Sequence, residues 1–342
     1  MANSPHLAVV FGCSGPVLGA EERAFFRDVD PTGFILFARN CESPEQVGTL
    51  VRDLRNAVGR DDAPVMIDQE GGRVTRLKPP HWRAAPAPGH FGEMAKMSAS
   101  EGLDAAYLNA RLIAADLYDL GISINCVPVL DIPQPGSSDV VGDRACGSDV
   151  ETVIMLGCTI AQGMLQGGIL PVIKHMPGHG RAVVDSHHEL PAIAASWKEL
   201  AAADFAPFRA LRDLPWGMTG HILLEAIDKN SPATASTKVV QTVIREHIGF
   251  DGVLVTDDLS MNALEGTVGQ RAARALAAGC DIALHCNGKM DEMIDVAASA
   301  RPLSEAAMAR IARAETMRRQ PEPFDRNEAV VRLDELLRGK GA

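Results

Sequence analysis

Short apolar runs alternate with helical patterns along nearly the whole chain. Most of these runs are unbroken rather than alternating between apolar and polar residues, which is typical of strands buried on both faces. Eight of them are predicted to be strands: Leu7–Phe11, Gly33–Phe37, Pro64–Ile67, Ile122–Val127, Leu170–Ile173, Gly217–Gly220, Gly252–Thr256 and Asp281–His285.

Several of the intervening segments carry helix start signals. Ser43-Pro44 places an N-cap residue before a proline at the first helical position. Ser148–Glu151 and Ser196–Glu199 have the spacing of a capping box. Between residues 103 and 117, apolar residues recur at three- and four-residue steps, which predicts one buried helix face, and Gly121 is placed to end that helix.

This alternation predicts an α/β fold, a single (β/α)8 barrel of the TIM type. We expect one domain over residues 1–342, with residues 319–342 as a charged, proline-punctuated tail on its surface. A doubly wound open sheet is the alternative, because alternation alone does not show closure. No Gly-x-Gly-x-x-Gly motif follows the first strand, which weakens the dinucleotide-binding version of that alternative.

Two segments, Pro79–Phe91 and Met176–Pro191, interrupt the rhythm after the third and fifth strands. Long segments without an element of their own are uncommon inside a compact domain and are often functional. Both are therefore expected to be loops, and the second is expected to carry part of the site.

The overall charge excludes several kinds of partner. The net charge is −11 and no run of Lys and Arg precedes the tail, so we expect neither a nucleic acid nor an anionic membrane surface as a partner. No apolar run is long enough to span a bilayer, and Met1–Leu7 has no signal-peptide pattern. We expect a monomer that acts on a small molecule.

The seven cysteines are dispersed and form no Cys-x-x-Cys pair. This pattern indicates neither a disulfide framework nor a structural zinc site. We expect reduced thiols and a cytoplasmic location.

Ionisable residues concentrate where the predicted strands end, which is where a (β/α)8 barrel builds its active site. The third strand is followed by Asp68 and Arg76, and the segments after the fourth include Arg144. The fifth ends in Lys174-His175, and the seventh in Asp257-Asp258.

A carboxylate at the end of the seventh strand could attack an anomeric carbon and form a glycosyl-enzyme. Aspartate also favours helix N-caps. We therefore expect one of Asp257 and Asp258 to be the nucleophile and the other to be structural, and the end of the strand alone does not choose between them.

Asp185 and His187 are two residues apart, so an extended backbone places their side chains on one side. The carboxylate could hold one ring nitrogen of His187 while the other faces a substrate, as in a catalytic carboxylate–histidine pair. A solvated loop histidine is the plain alternative, and it is favoured for His188.

Lys174, His175, Arg76, Arg144 and Asp68 together supply donors and acceptors, which suits the hydroxyls of a sugar. Each alone could equally be an ion pair at the rim of the barrel. The histidines between residues 175 and 188 also suggest a metal-dependent hydrolase, but their spacing matches no helical His-x-x-x-His motif. We expect no metal and no cofactor.

Four motifs, in order, resemble glycoside hydrolase family 3, and most closely its bacterial single-domain β-N-acetylglucosaminidases. The resemblance covers nearly the whole chain. It is carried by Ile67-Asp-Gln-Glu-Gly-Gly-Arg-Val74, Lys174-His-Met-Pro-Gly-His-Gly180, Asp185-Ser-His187 and Val255-Thr-Asp-Asp-Leu-Ser-Met261.

The resemblance implies a retaining enzyme that removes non-reducing N-acetylglucosamine from cytoplasmic peptidoglycan turnover fragments through a covalent intermediate. It implies that Asp257 is the nucleophile and that His187 is the acid/base, assisted by Asp185. The positions that it implies for sugar binding are Asp68, Arg76, Arg144, Lys174 and His175.

Two positions depart from the family pattern. Met176 stands where phenylalanine is commoner, which we expect to alter packing alone. Ala145-Cys146 follows Arg144 where Ser-Phe is more usual.

The histidine acid departs from the two-carboxylate pattern of most glycosidases, although imidazole titrates near neutrality. Some family members with this histidine transfer the sugar to phosphate, so a phosphorylase, or another β-glycosidase, is the alternative. A non-catalytic sugar-binding protein is the alternative from another class.

Overall fold

The computed structural model describes residues 5–186 and 189–339. Within these residues, eight parallel strands close into a barrel. The barrel strands are β1 (Leu7–Gly12), β2 (Pro31–Leu36), β3 (Val65–Ile67), β4 (Ile124–Asn125), β5 (Leu170–Met176), β7 (Trp216–Thr219), β9 (Val253–Asp258) and β10 (Ile282–His285). Their spatial order around the barrel is β1-β10-β9-β7-β5-β4-β3-β2. The predicted TIM-type fold is confirmed, and each predicted strand corresponds to one of these eight.

A second sheet was not predicted. β6 (Ala192–Ile193) and β8 (Leu223–Leu224) form a two-stranded parallel sheet outside the barrel. β6 follows the long segment after β5, so this small sheet ties the end of that segment to the chain that leaves β7.

Helices follow most of the barrel strands. They are α1 (Ala20–Val29), α2 (Pro44–Val58), α3 (Pro88–Met97), α4 (Ala99–Asp119), α5 (Val150–Gln166), α6 (Trp197–Ala202), α7 (Ala206–Ala210), a wider π-helical segment (Val239–Ile248), α8 (Val268–Ala278), α9 (Met290–Ser299), α10 (Glu305–Met317) and α11 (Arg326–Arg338). Among the described helices, none is long and apolar enough to cross a membrane.

The predicted helix starts are correct at two of three positions. Ser43 and Ser196 are the N-caps of α2 and α6, and Glu199 completes the second capping box. The prediction for Ser148 is wrong. Asp149 is the N-cap of α5, because its carboxylate accepts a hydrogen bond from the backbone N–H of Thr152 at 2.9 Å.

The two long segments differ in structure. The end of Pro79–Phe91 is helical, since α3 begins at Pro88. By contrast, the described residues between Met176 and β6 contain no helix or strand. This second loop leaves the C-terminal end of β5 and reaches the mouth of the barrel.

The last part of the chain forms α11, which the sequence analysis did not predict. Asp325 caps it by accepting hydrogen bonds from the backbone N–H groups of Asn327 and Glu328. Leu333 and Leu336 are buried, and Arg332 lies 3.3 Å from Asp104 of α4. The helix thus packs its apolar face onto the body of the protein.

Candidate active site

A cavity of about 260 Å³ opens at the C-terminal end of the barrel. Side chains from strand ends and from the loops that follow them line this cavity, as expected for the fold. They are Ile35, Phe37, Asp68, Val74, Arg76, Val140, Val141, Arg144, Lys174, His175, His179, Ser186, Met218, Asp257, Asp258, Met261, Leu284 and Cys286. The structure therefore brings together Asp257 and all five predicted sugar-binding residues.

Asp257 lies near the end of β9 with its carboxylate at the cavity. Its Oδ1 accepts a hydrogen bond from the backbone N–H of Asp258 at 2.8 Å. Burial alone would raise the pKa of Asp257, but His175 and His221 outweigh burial and lower it. Asp257 is therefore an ionised carboxylate near neutral pH, as a nucleophile must be.

Asp258 also lines the cavity, but its carboxylate is held by the turn that follows β9. Oδ2 accepts a hydrogen bond from the Ser260 hydroxyl at 2.6 Å, and Oδ1 accepts one from the Ser260 backbone N–H at 3.0 Å. Oδ1 also accepts a hydrogen bond from the backbone N–H of Cys286 at 3.1 Å, which joins β9 to the end of β10. These contacts are those of a structural aspartate.

A chain of alternating charges forms one wall of the cavity. Arg76 Nη2 lies 3.2 Å from Asp68 Oδ2, and Lys174 Nζ lies 2.8 Å from Asp68 Oδ1. Lys174 Nζ also lies 2.7 Å from Glu70 Oε1, and Arg144 binds both oxygens of Glu70 at 2.9 Å. The predicted cations are thus joined by two carboxylates from the segment after β3.

These ion pairs keep the carboxylates charged despite their surroundings. Burial would raise the pKa of Asp68, but Lys174 and Arg76 hold it below its ordinary range. Burial would lower the pKa of Lys174, but Asp68 and Glu70 raise it. The wall therefore presents fixed charges and strong hydrogen-bond donors and acceptors to a ligand.

His175 is oriented by a buried carboxylate. Its Nδ1 lies 2.7 Å from Asp131 Oδ2, which leaves Nε2 toward the cavity side and 3.5 Å from Arg144 Nη2. Asp131 Oδ1 accepts a hydrogen bond from the backbone N–H of His179 at 2.7 Å. Burial would raise the pKa of Asp131, but His175 and His179 lower it to about 2.

His179 is a neutral histidine at the junction of the cavity and the loop after β5. Burial lowers its pKa to about 4, and its Nε2 lies 3.2 Å from the Ser186 hydroxyl. This contact holds the loop against the cavity next to Asp185. The partly exposed Asp185 accepts a hydrogen bond from the backbone N–H of Glu189 through its carbonyl at 3.0 Å.

The predicted acid/base, His187, lies outside the described residues, as does His188. Its role and its pairing with Asp185 stay predictions. Within residues 5–186 and 189–339, no group of three or more His, Cys, Asp or Glu side chains is arranged to hold a metal ion.

Gly71 and Gly72 allow two backbone segments to pack closely. Both have positive φ angles, of 109° and 55°. A Cβ on Gly71 would lie 2.0 Å from the carbonyl oxygen of Pro86, and one on Gly72 would lie 2.6 Å from the Ala87 side chain. The glycines therefore let the segment after β3 pass close to the chain that enters α3.

Sequence reasoning missed several residues of the site. It assigned no role to Glu70, Asp131, His179 or Ser186. Glu70 had one usable signal, its position two residues after Asp68 in an extended segment. The apolar part of the wall, from Phe37, Met218 and Met261, carried no signal that distinguished it from the core.

Comparison with known proteins shows the family to which the chain belongs. Residues 17–317 match the glycosyl hydrolase family 3 N terminal domain. A β-hexosaminidase from Methylococcus capsulatus is 39% identical over 282 residues, which are 81% of this chain and 82% of the relative. A β-hexosaminidase from Alkalilimnicola ehrlichii is 38% identical over 82% of this chain and 80% of its own.

The fold comparison agrees. NagZ from Neisseria gonorrhoeae, in a crystal structure with N-trifluoroacetyl-D-glucosamine, superimposes with a TM-score of 0.85. It is 30% identical in sequence, and the match covers 99% of this chain and 98% of the other. The chain therefore belongs to glycosyl hydrolase family 3 and is a glycosidase, grouped by sequence with bacterial β-hexosaminidases.

Proposed function

We propose that this glycosidase is a retaining exo-β-N-acetylglucosaminidase with Asp257 as its nucleophile. The proposal rests on an ionised Asp257 in a cavity that is also lined by a wall of fixed charges. The cavity volume of about 260 Å³ suits a single sugar residue, which favours removal of terminal sugars.

In the proposed first step, the charged wall binds the sugar hydroxyls and places its anomeric carbon at Asp257. Asp68 accepts hydrogen bonds, and Arg76, Lys174, Arg144 and His175 donate or accept them. Asp257 forms a bond to the anomeric carbon as the bond to the leaving oxygen breaks. His187 gives that oxygen a proton, and Asp185 orients the imidazole.

In the second step, water replaces the aglycone. His187 removes a proton from the water, whose oxygen attacks the anomeric carbon from the face opposite Asp257. The bond to Asp257 breaks, which regenerates the carboxylate and a protonated His187. Two inversions at one carbon give net retention of the β configuration.

The proposed substrates are peptidoglycan turnover fragments, N-acetylglucosamine joined to 1,6-anhydro-N-acetylmuramic acid with or without a peptide. The family motifs support this choice, and the related NagZ was crystallised with an N-acylated glucosamine. We also propose that the enzyme acts as a cytoplasmic monomer; its seven free cysteines support that location.

The test is product analysis with the disaccharide and with an aryl N-acetyl-β-D-glucosaminide, in buffer containing EDTA. Nuclear magnetic resonance at early times should show β-N-acetylglucosamine as the first product. An α-anomer would contradict retention. Added phosphate distinguishes a hydrolase from a phosphorylase, because a phosphorylase would release N-acetylglucosamine 1-phosphate.

A further inference from the structure

Glu70 stands behind the substrate cavity rather than in it. Its side chain has no exposure, and it borders a small internal cavity of about 20 Å³ on the far side of the charged wall. Asp68, two residues earlier, lines the substrate cavity. The two carboxylates of this segment therefore face different spaces and have different tasks.

Both oxygens of Glu70 are used by cations that do line the substrate cavity. Oε1 forms an ion pair with Lys174 Nζ at 2.7 Å and accepts a hydrogen bond from Arg144 Nη2 at 2.9 Å. Oε2 accepts one from Arg144 Nε at 2.9 Å. The two contacts to Arg144 fix the plane of its guanidinium group, as in other bidentate pairs.

The positions of both cations depend on this carboxylate. The Lys174 side chain is 2% exposed and has a second partner in Asp68, whereas the Arg144 side chain is 13% exposed and its carboxylate partner is Glu70. Two buried cations that share one anion would repel each other without it, and each would be left incompletely paired. Losing Glu70 should therefore displace the donors that face the sugar.

We propose that Glu70 is a positioning residue for substrate binding: it holds Lys174 and Arg144 in the orientation in which their remaining N–H groups face the sugar. This inference rests on the proposed function, because the substrate whose binding Glu70 supports is the substrate proposed above. It assigns Glu70 no contact with the substrate and no proton transfer.

The test compares Glu70→Gln and Glu70→Asp with a matched control, Asp281→Asn. Asp281 is also a buried carboxylate between two arginines, 2.8 Å from Arg245 and 2.9 Å from Arg310. It directly precedes β10, at the opposite end of the barrel from the cavity. Asp281→Asn therefore removes a charge from a buried ion network that is remote from the substrate cavity.

Kinetics with the aryl N-acetylglucosaminide separate positioning from simple destabilisation. Glu70→Gln keeps the shape but places an amide N–H against the cations, so KM should rise at least about tenfold, with a smaller fall in kcat. Asp281→Asn should lower the melting temperature and leave KM within about twofold of the wild type, since lost folded protein lowers the rate and not KM.

Glu70→Asp keeps the charge and shortens the side chain, so it should fold and show an intermediate KM. If Glu70→Gln does not fold, the KM of Glu70→Asp tests the proposal. A folded Glu70 variant with the KM of the wild type would overturn the proposal. Wild-type protein that does not hydrolyse the glycoside would instead contradict the proposed function. The two failures are distinguishable, because one is seen in the wild type and the other only in the Glu70 variants.

Discussion

The backbone N–H of Asp258 donates a hydrogen bond to the carboxylate of Asp257, so the two adjacent aspartates are tied together but have different surroundings. Both carboxylate oxygens of Asp258 accept hydrogen bonds from Ser260 or from the end of β10, whereas His175 and His221 lower the pKa of the Asp257 carboxyl through their charge. This relationship separates a carboxylate that shapes a turn from one that is available for chemistry.

The difference predicts unequal effects of substitution. Asp257→Ala should lower kcat for the aryl N-acetylglucosaminide at least about a thousandfold while the protein stays folded, because the attacking atom is gone. Asp258→Asn should retain measurable turnover and lose about 1–3 kcal/mol of stability, since it weakens buried hydrogen bonds. Steady-state rates and urea denaturation of both variants check this, and equal turnover by Asp257→Ala and wild type would refute it.

The proposed acid/base predicts a dependence on the leaving group. His187→Ala should slow release of a sugar or alkoxide leaving group far more than release of a nitrophenolate, because protonation matters most when the leaving oxygen is basic. A series of aryl glycosides of rising leaving-group pKa measures this. Equal losses across the series would remove His187 from the role.

The buried Asp131 predicts a loss of stability in acid. Its folded-state pKa is about 2, and that of an unfolded aspartate is about 3.9. A lowered carboxyl pKa stabilises the folded state above the unfolded value, and that contribution disappears as the pH falls through the folded value. Asp131 should thus contribute about 2–3 kcal/mol above about pH 5, and this contribution is lost progressively as the pH falls toward 2 and below.

Urea denaturation of the wild type and of Asp131→Asn at several pH values between 6 and 2.5 checks this prediction. The variant has no carboxyl group to protonate at this position. The unfolding free energy of the wild type, relative to that of the variant, should therefore fall as the pH falls over that range. Two parallel curves of unfolding free energy against pH would show that Asp131 does not titrate as the structure indicates.

Most of the fold was predictable from the sequence because the barrel strands are buried on both faces. A run such as Leu170–Ile173 has no polar face, so its pattern differs from that of an amphipathic helix. The missed α11 has the opposite property: a few apolar residues lie among many charges, so its helical face was hard to distinguish from a polar tail. The β6–β8 sheet is too short to have a periodicity.

The site residues that lie at the ends of strands were predictable from the sequence. Asp257, Lys174 and Asp68 each directly follow or end an apolar run, and the barrel geometry brings such positions together. Glu70 was missed because its contacts are set by the tertiary structure: Arg144 lies 74 residues away along the chain. Asp131 was missed for the same reason, since His175 follows it by 44 residues.

Covalent trapping tests the assignment of Asp257 as the nucleophile most directly. The wild-type enzyme would be treated with a slow fluorinated N-acetylglucosaminide, digested, and sequenced by mass spectrometry. One sugar should be attached to the peptide that contains Asp257, and the Asp257→Ala variant should carry no label. A label on Asp258 or on another residue, or steady turnover of the reagent with no labelled peptide, would contradict this assignment.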